Sequence, residues 1–151
     1  MRVAIIVGIC LTVFSCAGPQ SGSLSPDVRS ELDKLADSSM DYREKYFDLS
    51  SRIVQIMEEV AAIENDAQAI EKLREYMSDN DVALKRLKSQ FDGWQKHEDD
   101  EAVVAFITRY NEQDSARRIR NLAPRLHKRF AYDKSYVADL ETLVHLISLR
   151  R

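Results

Sequence analysis

Residues 28–70 read VRSELDKLADSSMDYREKYFDLSSRIVQIMEEVAAIENDAQAI and contain neither glycine nor proline. Apolar residues recur through this stretch at alternating intervals of four and three, which places them along one face of an α-helix. Ser39 is the single polar member of the series. The series is Val28, Leu32, Leu35, Ser39, Tyr42, Tyr46, Leu49, Ile53, Ile56, Val60, Ile63, Ala67 and Ile70. This pattern predicts a helical seam that packs against other helices.

Glycine and proline remain scarce beyond this stretch, where only Gly93 and Pro124 occur. Strands need frequent turns, and these two residue types are the strongest breakers of regular structure, so their scarcity favours long helices. Pro26 suits the first turn of a helix, and an unbroken helix from there to Met77 would be roughly 78 Å long at about 1.5 Å per residue. Asp37–Ser39 is a candidate bend in this helix, although the apolar spacing continues across it. We therefore predict one all-α domain over residues 26–151, an elongated helical bundle with a long N-terminal coiled-coil-like helix.

The second half of the chain divides into shorter helical segments. The capping residues of Ser78–Asp81 predict a turn after the long helix, and the acidic run Glu98–Asp100 predicts the start of another helix. The polar stretch Asn111–Ser115 predicts a break, Pro124 predicts a kink or a restart, and Asp133 predicts the cap of a last helix. The sequence thus predicts four to six helices and no strands.

The N-terminal residues have the composition of an export signal. They read MRVAIIVGICLTVFSC, in which Arg2 precedes an uncharged apolar run from Val3 to Phe14. This run is too short to cross a bilayer as a helix, which takes about 20 residues. A basic start, a short apolar core and a small residue before a cut are typical of a secretory signal peptide. We therefore predict that residues 1–15 are a signal peptide, cleaved after Ser15.

The stretch VFSC, residues 13–16, resembles the lipobox of bacterial lipoprotein precursors, in which an aliphatic residue and a small residue lead up to a cysteine. The resemblance covers only about the first 18 residues. It implies that Cys16 receives a diacylglyceryl group on its sulfur and becomes the lipidated N-terminus of the mature protein. Because Ala17 follows in place of an acidic residue, the resemblance also implies an anchor in the outer membrane.

Cysteine usage agrees with this hypothesis. The chain has two cysteines, Cys10 inside the predicted signal peptide and Cys16, so a mature chain could not form an internal disulfide. Glycine, proline and serine are frequent after Cys16, and residues 16–25 are predicted to be the lipidated cysteine and a flexible tether. Two alternatives remain open, a cleaved signal without lipid and an uncleaved anchor that would make the protein an inner-membrane periplasmic coiled coil.

No catalytic, cofactor or metal motif is present in the sequence. The histidines at 97, 127 and 145 are far apart, and only Glu141 stands four residues before His145, a spacing at which two side chains can share a metal. A surface pair explains that spacing equally. We predict no enzymatic activity, no catalytic residue, no bound metal or cofactor and no small-molecule substrate. The alternative is a ligand- or metal-binding bundle. Its candidate residues are Ser39, Tyr42, Tyr46 and His145.

Charge is unevenly distributed along the chain. Residues 17–100 contain 11 basic and 19 acidic residues, whereas residues 101–151 contain 10 basic and 6 acidic residues. We define the basic stretch as Arg117, Arg118, Arg120, Arg125, Lys128, Arg129 and Lys134. These cations either pair with the acidic N-terminal half inside one molecule or bind an anionic partner, such as a phosphate-bearing lipid, an envelope polymer or an acidic protein. Nucleic acid is not expected, because an exported chain rarely meets it.

The predicted address and the predicted fold together favour one function. We expect a non-catalytic, lipid-anchored protein of the cell envelope, a helical scaffold, adaptor or assembly factor for another envelope component. Apolar helical seams bind helices of partners or of further copies of the same chain, so a protein partner or self-association is expected besides the membrane.

Overall fold

The computed structural model describes residues 30–148, and this part of the chain folds into six α-helices without a strand. The predicted all-α fold is therefore confirmed. The helices are α1 Glu31–Asp37, α2 Tyr42–Ala62, α3 Asp66–His97, α4 Asp100–Glu112, α5 Asp114–Arg129 and α6 Lys134–Leu146. The predicted signal peptide, Cys16 and the predicted tether lie outside the described residues.

The single long N-terminal helix is not confirmed, because the chain leaves helical conformation between α1 and α2. Ser38 ends α1, and its hydroxyl donates to the carbonyl oxygen of Leu35 at 2.8 Å. Asp41 then caps α2, where its carboxylate accepts from the backbone N–H of Arg43 at 2.9 Å. Serine and aspartate side chains compete in this way with the helical hydrogen bonds of the backbone. Lys45 secures the bend by donating to the carbonyl oxygen of Ala36 at 3.1 Å.

A second interruption separates α2 from α3. The chain leaves α2 at Ile63, and Asn65 caps α3 by accepting from the backbone N–H of Gln68 at 3.1 Å. This short connection folds α3 back along α2, and the ion pair between Lys72 and Glu59 joins the two helices. The turn predicted at 78–81 is wrong, because α3 continues through it to His97.

The apolar seam nevertheless supplies much of the core. Leu49, Ile53 and Val60 on α2 are fully buried. Among the described seam positions, those that are exposed or only half-buried lie at the two interruptions, where the chain leaves helical conformation. They are Ser39, Tyr42, Ile63 and Ala67. The alternating spacing continues across both interruptions because each helix presents its own apolar face to the shared core.

An aromatic cluster joins α2, α3 and α4 at one end of the core. The ring of Tyr46 packs edge-on against Phe91 at 4.7 Å, Tyr110 at 4.9 Å and Phe106 at 5.6 Å. Edge-to-face packing of this kind is favourable because the positive ring edge meets a negative ring face. The cluster fixes the register of α4 against the α2–α3 pair.

The predicted starts of α4 and α6 are confirmed. Asp99 caps α4, and Asp133 caps α6 by accepting from the backbone N–H of Tyr136 at 2.9 Å. The predicted break after residue 111 is a single residue, Gln113, which ends α4 and begins α5. Pro124 lies inside α5, which continues past it to Arg129, so the predicted restart of a helix at this proline is wrong.

Candidate anion-binding surface

Helix α5 carries most of the basic stretch and has two opposite faces. Its buried residues are Ala116, Ile119 and Leu126, which pack into the core, and its most extensive contacts are with α2. Between its ends it holds six basic residues and one acidic residue, Asp114. Because the core-facing positions are apolar, the basic side chains are directed to its flanks and its solvent-exposed side.

Two of the seven predicted cations pair with carboxylates of other helices. The guanidinium of Arg118 donates to the carboxylate of Glu58 on α2 through both Nε, at 2.8 Å, and Nη2, and it also lies 3.7 Å from Asp114. This arrangement matches the internal pairing of an acidic N-terminal half with a basic C-terminal half. Arg118 is therefore a link between α2 and α5.

Arg129 holds the connection between α2 and α3. Its Nη2 donates to the carbonyl oxygens of Ile63 at 2.7 Å and Glu64 at 3.0 Å, and its Nη1 donates to Ala61 at 3.3 Å. The same guanidinium bonds the carboxylate of Asp66 at 2.7 Å. These bonds engage backbone carbonyls at the C-terminus of α2 that the helix itself leaves without partners.

The Asp66 carboxylate also receives a hydrogen bond from the hydroxyl of Tyr132 at 3.0 Å. Together the hydrogen bonds from Arg129 and Tyr132 hold the pKa of Asp66 below its usual range. Both donors favour the ionised carboxylate, so the ion pair persists at neutral pH. This cluster is a structural clamp between α5 and the start of α3.

Two further cations of the basic stretch bond neutral acceptors. Arg117 donates to the carbonyl oxygen of Glu112 at 2.7 Å, and Arg120 donates to the carbonyl oxygen of Asn111 at 3.0 Å and to its side-chain oxygen at 3.3 Å. These bonds orient the guanidinium groups at the junction of α4 and α5. Neither guanidinium forms an ion pair with a carboxylate of residues 30–148.

The last three cations, Arg125, Lys128 and Lys134, are exposed and form no hydrogen bond or ion pair within the described chain. Arg117, Asn121, Arg125 and Lys128 are spaced by four, four and three residues, so they line one exposed side of α5. We call these four residues the outer face of α5. The face is about 16 Å long at about 1.5 Å per residue and carries three positive charges. The exposed carboxylate of Asp114 lies about one turn before Arg117 on the same side of the helix.

The four residues of the ligand-binding alternative are not gathered in one place. Tyr46 is buried in the aromatic cluster, where burial raises the pKa of its phenol and its hydroxyl has no partner. Ser39 and Tyr42 are exposed where α1 meets α2, and His145 lines a groove between α3, α5 and α6. Their positions offer no common polar centre.

The structure adds a neighbour to the predicted Glu141 and His145 pair. His127 of α5 places its Nε2 3.8 Å from a carboxylate oxygen of Glu141 on α6. Within residues 30–148, no group of three or more histidine, cysteine, aspartate or glutamate side chains could hold a metal ion. The contact between α5 and α6 was not apparent in the sequence, because 14 residues separate its partners and a turn intervenes.

The sequence does not distinguish the cations that hold helices together from those that face water. Nothing in their spacing distinguishes the clamp residue Arg129 from the free residue Arg125, because both are arginines on one amphipathic helix.

No helix of the described part of the chain is long and apolar enough to cross a membrane. Comparisons with protein-family models, curated proteins and solved structures find nothing that matches this chain.

Proposed function

We propose that this protein is a non-catalytic adaptor of the cell envelope that is anchored through a lipid on Cys16 and binds an acidic protein partner with the outer face of α5. The observation that carries the proposal is the set of exposed cations on this face, of which Arg125 and Lys128 have no partner in the described chain. Solvated cations without carboxylates beside them attract an anionic surface and accelerate its association.

The composition of the face supports a protein partner over insertion into a bilayer. No large apolar side chain accompanies Arg117, Asn121, Arg125 and Lys128 on this side of the helix. Helices that lie in a membrane interface combine basic residues with large apolar ones such as tryptophan, phenylalanine and leucine. A polar, rigid and positively charged strip instead complements carboxylates presented by a folded surface.

The partner hypothesis is tested by photocrosslinking in the native envelope. A photoreactive residue at Asn121 should crosslink a specific protein, whereas one at Val82, an exposed position on α3, should not. Reversing two charges, Arg125→Glu with Lys128→Glu, should abolish the product. A matched double variant, Lys34→Glu with Lys96→Glu, should retain it. Crosslinking that survives the α5 reversal would contradict the proposed surface.

The anchor hypothesis is tested by the intact mass of the protein extracted from membranes. The proposal expects a chain that begins at Cys16 and carries added lipid, and it expects Cys16→Ser to remain uncut. Cys10→Ser is the matched control and should be processed normally. A native chain that retains Met1 would favour the uncleaved inner-membrane anchor, and a cut chain without lipid would favour a secreted bundle.

A further inference from the structure

A pocket of about 330 Å³ lies between the start of α2 and the end of α3. Its lining includes two aromatic side chains, Tyr42 from α2 and Trp94 from α3, and the backbone of α3 at Gly93. Tyr42 is 41% exposed, whereas Trp94 is half-buried and its ring packs edge-on against that of Phe106, with the centroids 5.1 Å apart. This contact holds the indole in place at the pocket wall. The volume is at the lower end of the range of about 300–1,000 Å³ for small-molecule sites, so it suits a single ring.

The polar side chains of the pocket have hydrogen-bonding capacity that the described chain does not use. Ser89 and His97 on α3 form no hydrogen bond or ion pair among residues 30–148. Glu98 accepts from the indole N–H of Trp94 at 2.8 Å through one carboxylate oxygen, which leaves its other oxygen available. The amide nitrogen of Gln90 donates to a backbone carbonyl at 3.1 Å, whereas its own oxygen is buried without a donor. A ligand that carries hydroxyl groups matches such a lining, because a hydroxyl both donates and accepts.

Gly93 has no role in packing that would require a glycine. It is helical with a negative φ, and a Cβ added there meets nothing within 4 Å. A glycine within a helix destabilises it relative to alanine, so neither backbone conformation nor crowding in the described chain explains this residue. Glycine also lets a ligand approach the backbone closely. The bare backbone at this position leaves room for the flat face of a ring.

The charges at the pocket favour neither an anion nor a cation. Glu98 is the one carboxylate among the residues that line it, and this lining includes no lysine or arginine. The buried ammonium of Lys45, however, lies 5.8 Å from the centroid of the Tyr42 ring, so a positive charge also lies beside the pocket. The neighbouring Arg43 pairs with Asp41 at 3.0 Å. Such a balance suits an uncharged ligand.

We propose that this pocket binds a single uncharged sugar ring of the pyranose type. The C–H face of the sugar packs against the rings of Tyr42 and Trp94 and over the backbone of Gly93. Its hydroxyl groups exchange hydrogen bonds with Ser89 and Glu98. The lining identifies this occupant, because aromatic planes cover an apolar face while the polar groups around them match hydroxyls. The site is separate from the outer face of α5, and it does not depend on a lipid anchor.

The proposal is tested by fluorescence titration of the full-length protein in phospholipid vesicles. Trp94 is the single tryptophan of the chain, so the tryptophan emission reports on this pocket. The probes are the methyl pyranosides of glucose, galactose, mannose and N-acetylglucosamine. At least one should change the emission in a saturable manner, with an affinity that does not depend on salt. Sorbitol, which has hydroxyl groups but no ring, should leave the emission unchanged.

Three outcomes of the titration would overturn the proposal. One is an emission that none of the pyranosides changes, and another is an equal change with sorbitol, which would be an effect of the solvent. The third is a response to choline in place of the sugars, which would assign the aromatic rings to an organic cation.

Two pairs of variants locate the bound sugar, and saturation-transfer NMR of the sugar protons gives a readout that does not depend on the indole. Gly93→Leu fills the pocket and should abolish the saturation transfer, whereas Ala131→Leu, at an exposed alanine outside the pocket, should not. Tyr42→Ala should weaken binding about tenfold, the effect of losing one aromatic contact, whereas Tyr132→Ala, at a tyrosine outside the pocket, should not. An unchanged circular dichroism spectrum shows that each variant is folded. Binding that survives both Gly93→Leu and Tyr42→Ala would contradict the site.

Discussion

The strongest structural prediction concerns Arg129, whose guanidinium clamps the connection between α2 and α3. Replacing it with methionine keeps an apolar stem of similar length but removes the donors to the carbonyl oxygens of Ala61, Ile63 and Glu64. Those carbonyls terminate α2, and no other described side chain bonds them. The variant Arg129→Met should therefore destabilise the fold without altering the apolar core.

The magnitude follows from the number of bonds and from their exposure. A hydrogen bond to a charged group contributes about 1.5–3 kcal/mol when it is well shielded. The side chain of Arg129 is 29% exposed, so water can replace part of what is lost. We expect a net loss of about 2–3 kcal/mol in the free energy of unfolding, a large share of the ~5–15 kcal/mol typical of a domain.

Urea unfolding followed by circular dichroism measures this loss. With a denaturant slope of about 2 kcal/mol/M, the midpoint should fall by about 1 M. Arg125→Met is the matched control, because it makes the same change one turn earlier at an exposed side chain without partners, and it should shift stability by less than about 0.5 kcal/mol. Equal midpoints for the two variants would refute the clamp.

Three further predictions concern single groups. The pKa of Asp66 is lowered in the fold, so its ionised form adds stability that is complete above the usual value of 3.8 and is lost as the pH falls through the lowered pKa. Asp66→Asn should therefore be destabilising at pH 7 and progressively less so as the pH falls below about 3.8, as measured by urea midpoints. Tyr46→Phe removes a buried hydroxyl without a partner and should stabilise the protein slightly or leave it unchanged. Tyr110→Phe should lower the free energy of unfolding by about 1 kcal/mol, since it deprives the buried hydroxyl of Ser50 of a partner at 3.2 Å. Thermal unfolding distinguishes the two signs. Gly93→Ala should raise stability by about 0.5–1 kcal/mol, because the position is helical and a Cβ there meets nothing within 4 Å; a lower melting temperature would contradict this account.

The sequence predicted the helices well where the cause is local. Alternating spacing of apolar residues requires only the geometry of a single helix, and the caps at Asp99 and Asp133 require only a side chain three residues from its backbone donor. The absence of strands among residues 30–148, the starts of α4 and α6, and the face of α5 turned to the core all follow from such patterns.

The sequence indicated a bend at Asp37–Ser39, where the structure ends α1, but it predicted no interruption at Asn65. The apolar spacing continues across both places, and a long helix satisfies that spacing as well as two helices that fold back on each other. The choice between them depends on contacts between residues far apart, such as Arg129 with the α2–α3 connection and Lys45 with Ala36. Local periodicity contains no information about such contacts.

The candidate sites also combine features that the sequence alone determines with features that depend on the fold. The sequence alone determined that residues 117–134 are basic, and it alone carries the resemblance of the first 18 residues to a lipoprotein signal. Tertiary structure decided that Arg118 and Arg129 hold helices together while Arg125 and Lys128 face water. It also brought Tyr42 of α2 and Trp94 of α3 to one pocket. The physical reason is that the charge of a side chain is a property of the residue, whereas its availability depends on which distant groups the fold brings within hydrogen-bonding distance.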